Sequence, residues 1–575
     1  METVLISPAE ASVLFMPGFI LYLLIPVVGI AILAHILWRR FKPLSGAAPD
    51  FRFDQIKARL WKTYESPHHR MPRYLFSSVI HITILVSLMA LSIRVILMVL
   101  SGVFAGLADP DLGGQVGIVY GALADIGETV ILAACVVAVV RRGIFKPERY
   151  SVPERYGKDR SPEAIWYMVM LGVIALGDML HQGSLHAATI GSEGGAMFLL
   201  PGTGAWAAGA LLTAQSPAAV QNVHLWSFFA FDLLVFVFLC LLPFGRLFHL
   251  FTGAPNVFFS KLEKGAVKPV KWGVPDEKVE ELESFGVKKL EEFTWKHLLD
   301  FYSCADCGRC SDQCPANAVG RPLSPRFISL KGRAEAFRQY PVIGKAGTDE
   351  VTLMGGVYNE DEIWSCTTCG ACEEECPVAI EYIDKIIDLR RGMVDEGMVP
   401  QSLQKPFQAL EKRGNPYGKM ERKRTEWTKE IADTQPVKVV GKKETADTLF
   451  FVDSATSYDD QVQVIGRATA RILGAAGIDF GILGPLEKDS GHEVRRFGEE
   501  MLFMELRDRN IDAILASGAK EIVTADPHAY NALKNDYTDL PPVLHLSEFI
   551  AREVKTGRLR FRALGEEGRV FTYHD

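Results

Sequence analysis

The stretch Cys304-Ala305-Asp306-Cys307-Gly308-Arg309-Cys310-Ser311-Asp312-Gln313-Cys314-Pro315 sets three cysteines at two-residue intervals, a fourth after three more, and a closing proline. The same spacing returns at Cys366, Cys369, Cys372, Cys376 and Pro377. Two such runs hold two [4Fe–4S] clusters, and in paired sites the fourth cysteine of each run ligates the other cluster. One cluster is therefore assigned to Cys304, Cys307, Cys310 and Cys376, and the second to Cys366, Cys369, Cys372 and Cys314. Zinc is disfavoured because its structural sites take cysteines in pairs, whereas each run offers four thiolates. A disulfide framework is disfavoured too. Eight of the ten cysteines sit in two tight runs, in a part of the chain that the charge pattern below assigns to the reducing cytoplasm. Cys135 and Cys240 lie in apolar runs and read as small buried hydrophobes.

Working outward, the 575 residues carry a net charge of −7, with apolar residues concentrated in the first half. Five stretches, 18–38, 74–101, 117–140, 163–181 and 223–246, read as membrane spans, each near the ~20 residues a hydrocarbon core requires. Arg39, Arg40 and Lys42 follow the first stretch rather than precede it, the wrong flank for a cleaved signal peptide, so it is expected to stay as an anchor. Segment 39–73 holds nine lysines and arginines and 141–160 holds seven, while 1–17, 102–116 and 182–222 hold none. That bias predicts a multi-pass protein of the cell (inner) membrane, with the N-terminus outside and everything after about residue 246 cytoplasmic. The balanced charge offers no basic face for nucleic acid. No dinucleotide fingerprint opens a helix, so no bound NAD or flavin is expected.

A membrane bundle delivering the chain to an iron–sulfur module calls for a second redox centre in the bilayer, with histidines as its ligands. His81 lies two turns into the second span, and His249 closes the run Pro243-Phe244-Gly245-Arg246-Leu247-Phe248-His249. Residues 15–255 resemble the nitrate reductase gamma-subunit family, a five-helix cytochrome b whose last helix ends in such a run. The resemblance implies that His81 and His249 ligate an inner haem b. At the positions where that family sets its outer-haem histidines this chain has Leu91 and Phe231. The outer half nevertheless holds Arg94, Asp125, Glu128, Asp178, His181, His186, His224 and Asp232, and ionisable groups at that depth are functional candidates by default. Three readings stand open: a second haem on His224 with His181 or His186, a proton pathway or quinone site, or side chains that simply reach the interface.

The expected architecture is multidomain: a five-helix transmembrane bundle, an α-helical ferredoxin domain with two [4Fe–4S] clusters, and a C-terminal α/β domain. The boundaries read as a cytochrome b-like membrane domain over 1–250, a connector over 251–295, the ferredoxin domain over 296–400, a charged, proline-bearing linker over 401–446, and the α/β domain over 447–575. The fifty-odd residues between the cysteine runs resemble the helical ferredoxin domain of succinate dehydrogenase and of heterodisulfide reductase partners. From Thr448, short apolar strands alternate with helices, the pattern of a mainly parallel sheet. Ser454, Asp489-Ser490-Gly491 and Asp526-Pro527-His528-Ala529 resemble the frame of the cysteine-rich CCG repeat of heterodisulfide reductases, with every cysteine position changed. Thiolates dominate iron–sulfur ligation, so this repeat is expected to be a scaffold or docking surface. The sequence ends at Tyr573-His574-Asp575, where the family's second repeat opens; a truncated or split product, or a second polypeptide carrying that repeat, would account for it.

The whole order resembles membrane-bound iron–sulfur oxidoreductases that pass electrons from electron-transfer flavoprotein to menaquinone, which implies a soluble donor and a quinone substrate in the lipid bilayer. Two alternatives are the membrane component of a heterodisulfide- or sulfite-reductase-type respiratory complex, and a non-catalytic assembly or docking protein.

Overall fold

The computed structural model describes residues 5–13, 15–103, 114–157, 161–189, 199–347, 351–441, 443–562, 568 and 570; the C-terminal Tyr573-His574-Asp575 lies outside them. The chain divides into two compact units, one of residues 1–262 with 289–382, the other of 263–288 with 383–575.

In the first unit, five helices are long and apolar enough to cross a membrane: Gly18–Gly46, Leu75–Val103, Gly114–Val140, Ser161–Thr189 and Pro217–Leu241. They contain the five expected stretches almost whole. Helix 161–189 packs on 114–140 and 217–241, and 18–46 lies along 217–241. Such helices gain little from apolar transfer inside lipid, so close packing decides their contacts. A Cβ on Gly29 would fall 2.5 Å from the Phe236 ring, so only glycine allows this approach of the first and last spans. A short apolar helix, Gly204–Leu212, also packs on helix 161–189; its nine residues are too few to cross a hydrocarbon core.

The part of this unit that carries the cysteine runs begins with helix Trp295–Ser303, whose N-cap Thr294 side chain accepts from His297 N at 3.2 Å. Helix Pro325–Gln339 packs against it. The segment joining the first two spans is ordered against this part. Arg52 forms ion pairs with Asp50 at 2.7 Å and Glu381 at 2.9 Å, with all three side chains buried. Arg73 pairs with Glu374 and Glu375.

The second unit is built on a five-stranded, wholly parallel sheet. Its strands are β1 (Lys438–Val439), β2 (Thr448–Phe451), β3 (Phe480–Ile482), β4 (Glu521–Thr524) and β5 (Val543–His545), in the order β1-β3-β2-β4-β5. Leu449, Phe450, Phe451, Ile522 and Val523 are buried on both faces, as a parallel sheet covered by helices requires.

Two expected boundaries need correction. Residues 401–446 are not a linker: helix Gln401–Arg413 and a 3-10 stretch over Glu421–Ile431 fold onto the sheet. Trp427 and Ile431 are buried with Phe450 in one core, and Arg424 pairs with buried Glu487 at 2.8 Å. Charge and proline mark the stretch as a linker in the sequence, but Arg424 is paired with a buried carboxylate and Trp427 lies in the core. The connector expected over 251–295 is likewise folded. Lys268 pairs with Asp388 at 3.0 Å, Val279 and Val287 are buried, and Val287 N donates to Asp388 O.

Candidate metal centres

The two cysteine runs fold alike. Cys304 follows helix 295–303 directly. The next turn places Asp306 at φ +56 and Gly308 at φ +79, and the second run repeats this with Thr368 at φ +54 and Gly370 at φ +82. Each pair leads into a short helix, Arg309–Asp312 or Ala371–Glu375. In the first run these two left-handed residues curl the chain so that Cys304, Cys307 and Cys310 line one cavity; left-handed backbone at a non-glycine residue marks a site where the surroundings impose it.

Cys304, Cys307, Cys310 and Cys376 line one cavity, together with Arg326, Pro377 and Tyr382. This is the predicted combination of three cysteines from the first run with the last of the second. Cys314 lies within electrostatic reach of Cys369, and Cys372 within reach of Cys366, Cys310 and Cys314. Burial pushes the Cys304 thiol up to about 11 and the Cys376 thiol up to about 12, so four thiolates share this cavity only if cations compensate them. The donor set therefore fits an iron–sulfur cluster. Tyr382 donates to Cys310 Sγ at 3.5 Å, Ile380 N to Cys376 Sγ at 3.4 Å and Thr368 N to Cys366 Sγ at 3.3 Å. In the second set Cys369 is exposed, whereas Cys304, Cys310 and Cys376 are buried.

Sequence reading missed the arginines that brace the first set. Asp306, between two of its cysteines, is buried against Arg246 at 3.1 Å and against Arg326. Burial would raise its pKa, but Arg326 and Arg246 outweigh that and hold it below the usual carboxylate range. Arg333 donates to Cys304 O at 2.8 Å. Arg246 belongs to the run that ends at His249, and its carbonyl accepts from His249 Nδ1 at 2.8 Å.

That hydrogen bond leaves His249 Nε2 as the ring's acceptor, the arrangement metal-binding histidines use. The His81 and His249 rings have centroids 6.3 Å apart. Two imidazoles bound to one metal from opposite faces, with bonds of about 2 Å, bring their centroids to roughly 6 Å. The pair is spaced to fit a haem iron.

The other ionisable residues of the long helices assemble differently. His181 and His224 stack with centroids 4.5 Å apart, too close for an iron between them. His181 Nδ1 donates to His224 O at 3.2 Å, and Ser184 Oγ lies 3.1 Å from His224 Nδ1. His186 lies against the 204–212 helix, where a Cβ on Gly209 would fall 2.8 Å from its ring. Arg94 pairs with Glu128 and with Asp178 at 2.5 Å, so three spans share one buried charge group. Asp125 accepts from Thr203 Oγ1 at 2.5 Å. Asp232 is wholly buried, and among the described residues neither of its carboxylate oxygens has a hydrogen-bond partner.

Taken together, a membrane-helix bundle in one unit with paired four-cysteine loops defines the class: a membrane-associated iron–sulfur electron-transfer protein. A protein-family profile described as a 4Fe-4S dicluster domain matches residues 303–380. The chain is related to proteins named as iron–sulfur oxidoreductases. It is 39% identical over 377 residues to the probable iron-sulfur-binding oxidoreductase FadF of Bacillus subtilis, covering 59% of this chain and 53% of that protein. It is 34% identical over 372 residues to the EtfAB:quinone oxidoreductase of Syntrophomonas wolfei, covering 60% and 51%. To a component of the dihydromethanophenazine:CoB–CoM heterodisulfide reductase of Methanosarcina barkeri it is 28% identical over 299 residues, covering 50% and 70%. The chain spans about half the length of the first two. No solved structure matches it.

Proposed function

We propose that this chain is a membrane-bound oxidoreductase that carries electrons between a soluble donor, reduced electron-transfer flavoprotein, and menaquinone. The observations that carry the proposal are the cavity in which Cys304, Cys307 and Cys310 meet Cys376 and, in the same compact unit, the His81 and His249 rings with centroids 6.3 Å apart. Cys304, Cys307, Cys310 and Cys376 hold one [4Fe–4S] cluster and Cys366, Cys369, Cys372 and Cys314 the other, with an inner haem b on His81 and His249. When bound, these groups accept and release single electrons.

The protein's own contribution is burial and positioning. The exposed Cys369 sets the second cluster's side as the face a soluble donor meets. Arg246 spans from Asp306, in the first cysteine loop, to the carbonyl that orients His249. In the outer half of the membrane, Arg94, Glu128, Asp178 and the His181–His224 stack form a proton pathway or quinone site; the 4.5 Å stack favours this over a second haem. The charge asymmetry of the loops supports an N-terminus outside and the cysteine runs in the cytoplasm. The name of the quinone oxidoreductase relative supports the choice of donor. The relation to the heterodisulfide reductase component supports the alternative of membership in a heterodisulfide-type complex.

The test is to purify the full chain in detergent, count haem b and non-haem iron, and supply reduced electron-transfer flavoprotein with a menaquinone analogue. About eight non-haem irons, one haem and quinone reduction are expected. Full cofactor content without flavoprotein-dependent quinone reduction would defeat the donor assignment, and absence of haem would defeat the membrane route.

A further inference from the structure

The C-terminal sheet domain contains a group of side chains that electron transfer does not use. At or beside the positions where the resembling repeat carries cysteines, this chain has carboxylates hydrogen-bonded to the backbone. Asp453 accepts from Ser454 N at 2.6 Å and Ser490 N at 3.2 Å, Asp489 from Gly491 N at 3.0 Å, and Asp526 caps the helix Pro527–Asn535 through His528 N and Ala529 N. Burial first, then the charges of Asp489 and Asp526, push the Asp453 carboxyl well up. The hydrogen bond from Ser490 N to Asp453 ties the first and second segments of the frame together.

Beside them, the first turns of two helices bring together His492, Glu493 and His528, whose ligand atoms all lie within 4.8 Å of one another. Gly491 at φ +69 sets the first of these helices against Phe503, whose ring a Cβ there would approach to 2.9 Å. The two imidazoles lie parallel, 4.8 Å apart, with the Glu493 carboxylate 3.6 Å from His492 Nδ1 and hydrogen-bonded to His528 Nδ1. His492 Nδ1 is buried and, among the described residues, has no hydrogen-bond partner. Arg496 is the nearby cation that would oppose metal binding, but its guanidinium is engaged by Asp536 at 3.2 Å and by the carbonyls of His492 and Gly265.

We propose that His492, Glu493 and His528 form a binding site for one divalent cation of the zinc class, separate from the iron–sulfur clusters. Two imidazoles and a carboxylate are the donors that borderline divalent metals take, and three protein ligands leave a position open for water or a donor atom from another molecule. The Glu493 and His528 side chains are 45% and 60% exposed, so they are free to close the remaining distance around an ion and an ion can reach them.

The experiment is equilibrium dialysis of the full-length protein in detergent against micromolar zinc, with bound zinc and iron counted by mass spectrometry for the parent, H492A/H528A and E493Q. One zinc per chain is expected in the parent. Since loss of even a ligand's supporting partner costs about 10–100-fold in affinity, both variants should bind roughly tenfold more weakly or worse, with iron content unchanged. X-ray absorption at the zinc edge should report nitrogen and oxygen ligands only. Equal zinc in E493Q and parent, no zinc in the parent, or sulfur in the zinc shell would each overturn the assignment; E493Q keeps the test valid should the double variant fail to fold.

Discussion

Tyr382 points its hydroxyl at Cys310 Sγ, 3.5 Å away, from a position with 2% of its surface exposed. A donor to a cluster sulfur stabilises the reduced, more negative state and raises its potential. Tyr382→Phe keeps the ring and removes the donor. The first cluster's midpoint should fall by on the order of 40 mV, the one-electron equivalent of about 1 kcal/mol of hydrogen bond. Potentiometric titration followed by electron paramagnetic resonance reads this, and an unchanged midpoint would remove Tyr382 from the tuning of the site.

Glycines 308 and 320 share φ +79, but a Cβ on Gly308 would collide with Arg149 O while one on Gly320 meets open space. Gly308→Ala should therefore distort the first cysteine loop and lower non-haem iron from about eight towards about four per chain. Gly320→Ala should leave iron intact and cost only about 1 kcal/mol. Equal iron in both variants would mean that the loop tolerates displacement.

The Asp50–Arg52–Glu381 group links stability to pH. Burial alone would raise the Glu381 pKa, but Lys296 and Arg52 outweigh it and hold the carboxyl well below the usual range. A carboxyl depressed in the folded state contributes stability that is fully present above its unfolded value of about 4.3 and is lost as pH falls through the folded one. Asp50, raised mainly by burial, opposes this in part, losing stability as pH rises past its unfolded value. Glu381→Gln should cost about 3–5 kcal/mol at neutral pH by leaving buried cations unpaired. The gap between variant and parent in thermal melts should narrow towards acid, and a gap constant with pH would contradict the assignment.

If His81 and His249 hold a haem as proposed, His249→Ala should abolish its spectrum while non-haem iron stays near about eight per chain, measured by pyridine haemochrome and iron assay on the same sample. Loss of His224 should leave haem content alone, because its ring is stacked 4.5 Å from His181. Haem lost with His224 and kept without His249 would reverse the two roles.

The cysteine runs, the five long helices and the alternating strands and helices after Thr448 were legible because each has a strict period or spacing, set by covalent geometry or by burial on a repeating face. What escaped was long-range and polar. Segment 421–431 reads as charged and solvated, yet Arg424 serves a buried Glu487 63 positions away. Strand β1 is two residues, Lys438 and Val439, at a sheet edge, too short to alternate visibly. Asp306 reads as one more loop acid, and only the fold brings it to Arg246 and Arg326.

Arg246 gives one side chain to Asp306 in the cysteine loop and one carbonyl to His249. A substitution at Arg246 itself is therefore not confined to one site: if His81 and His249 hold a haem as proposed, its visible absorption and the magnetic signal of the cluster in the first cysteine set should fade together across a graded series of substitutions there. Maturation would share this fate, since a chain whose helical half inserts badly would also present a misfolded mould to the cell's cluster-loading machinery.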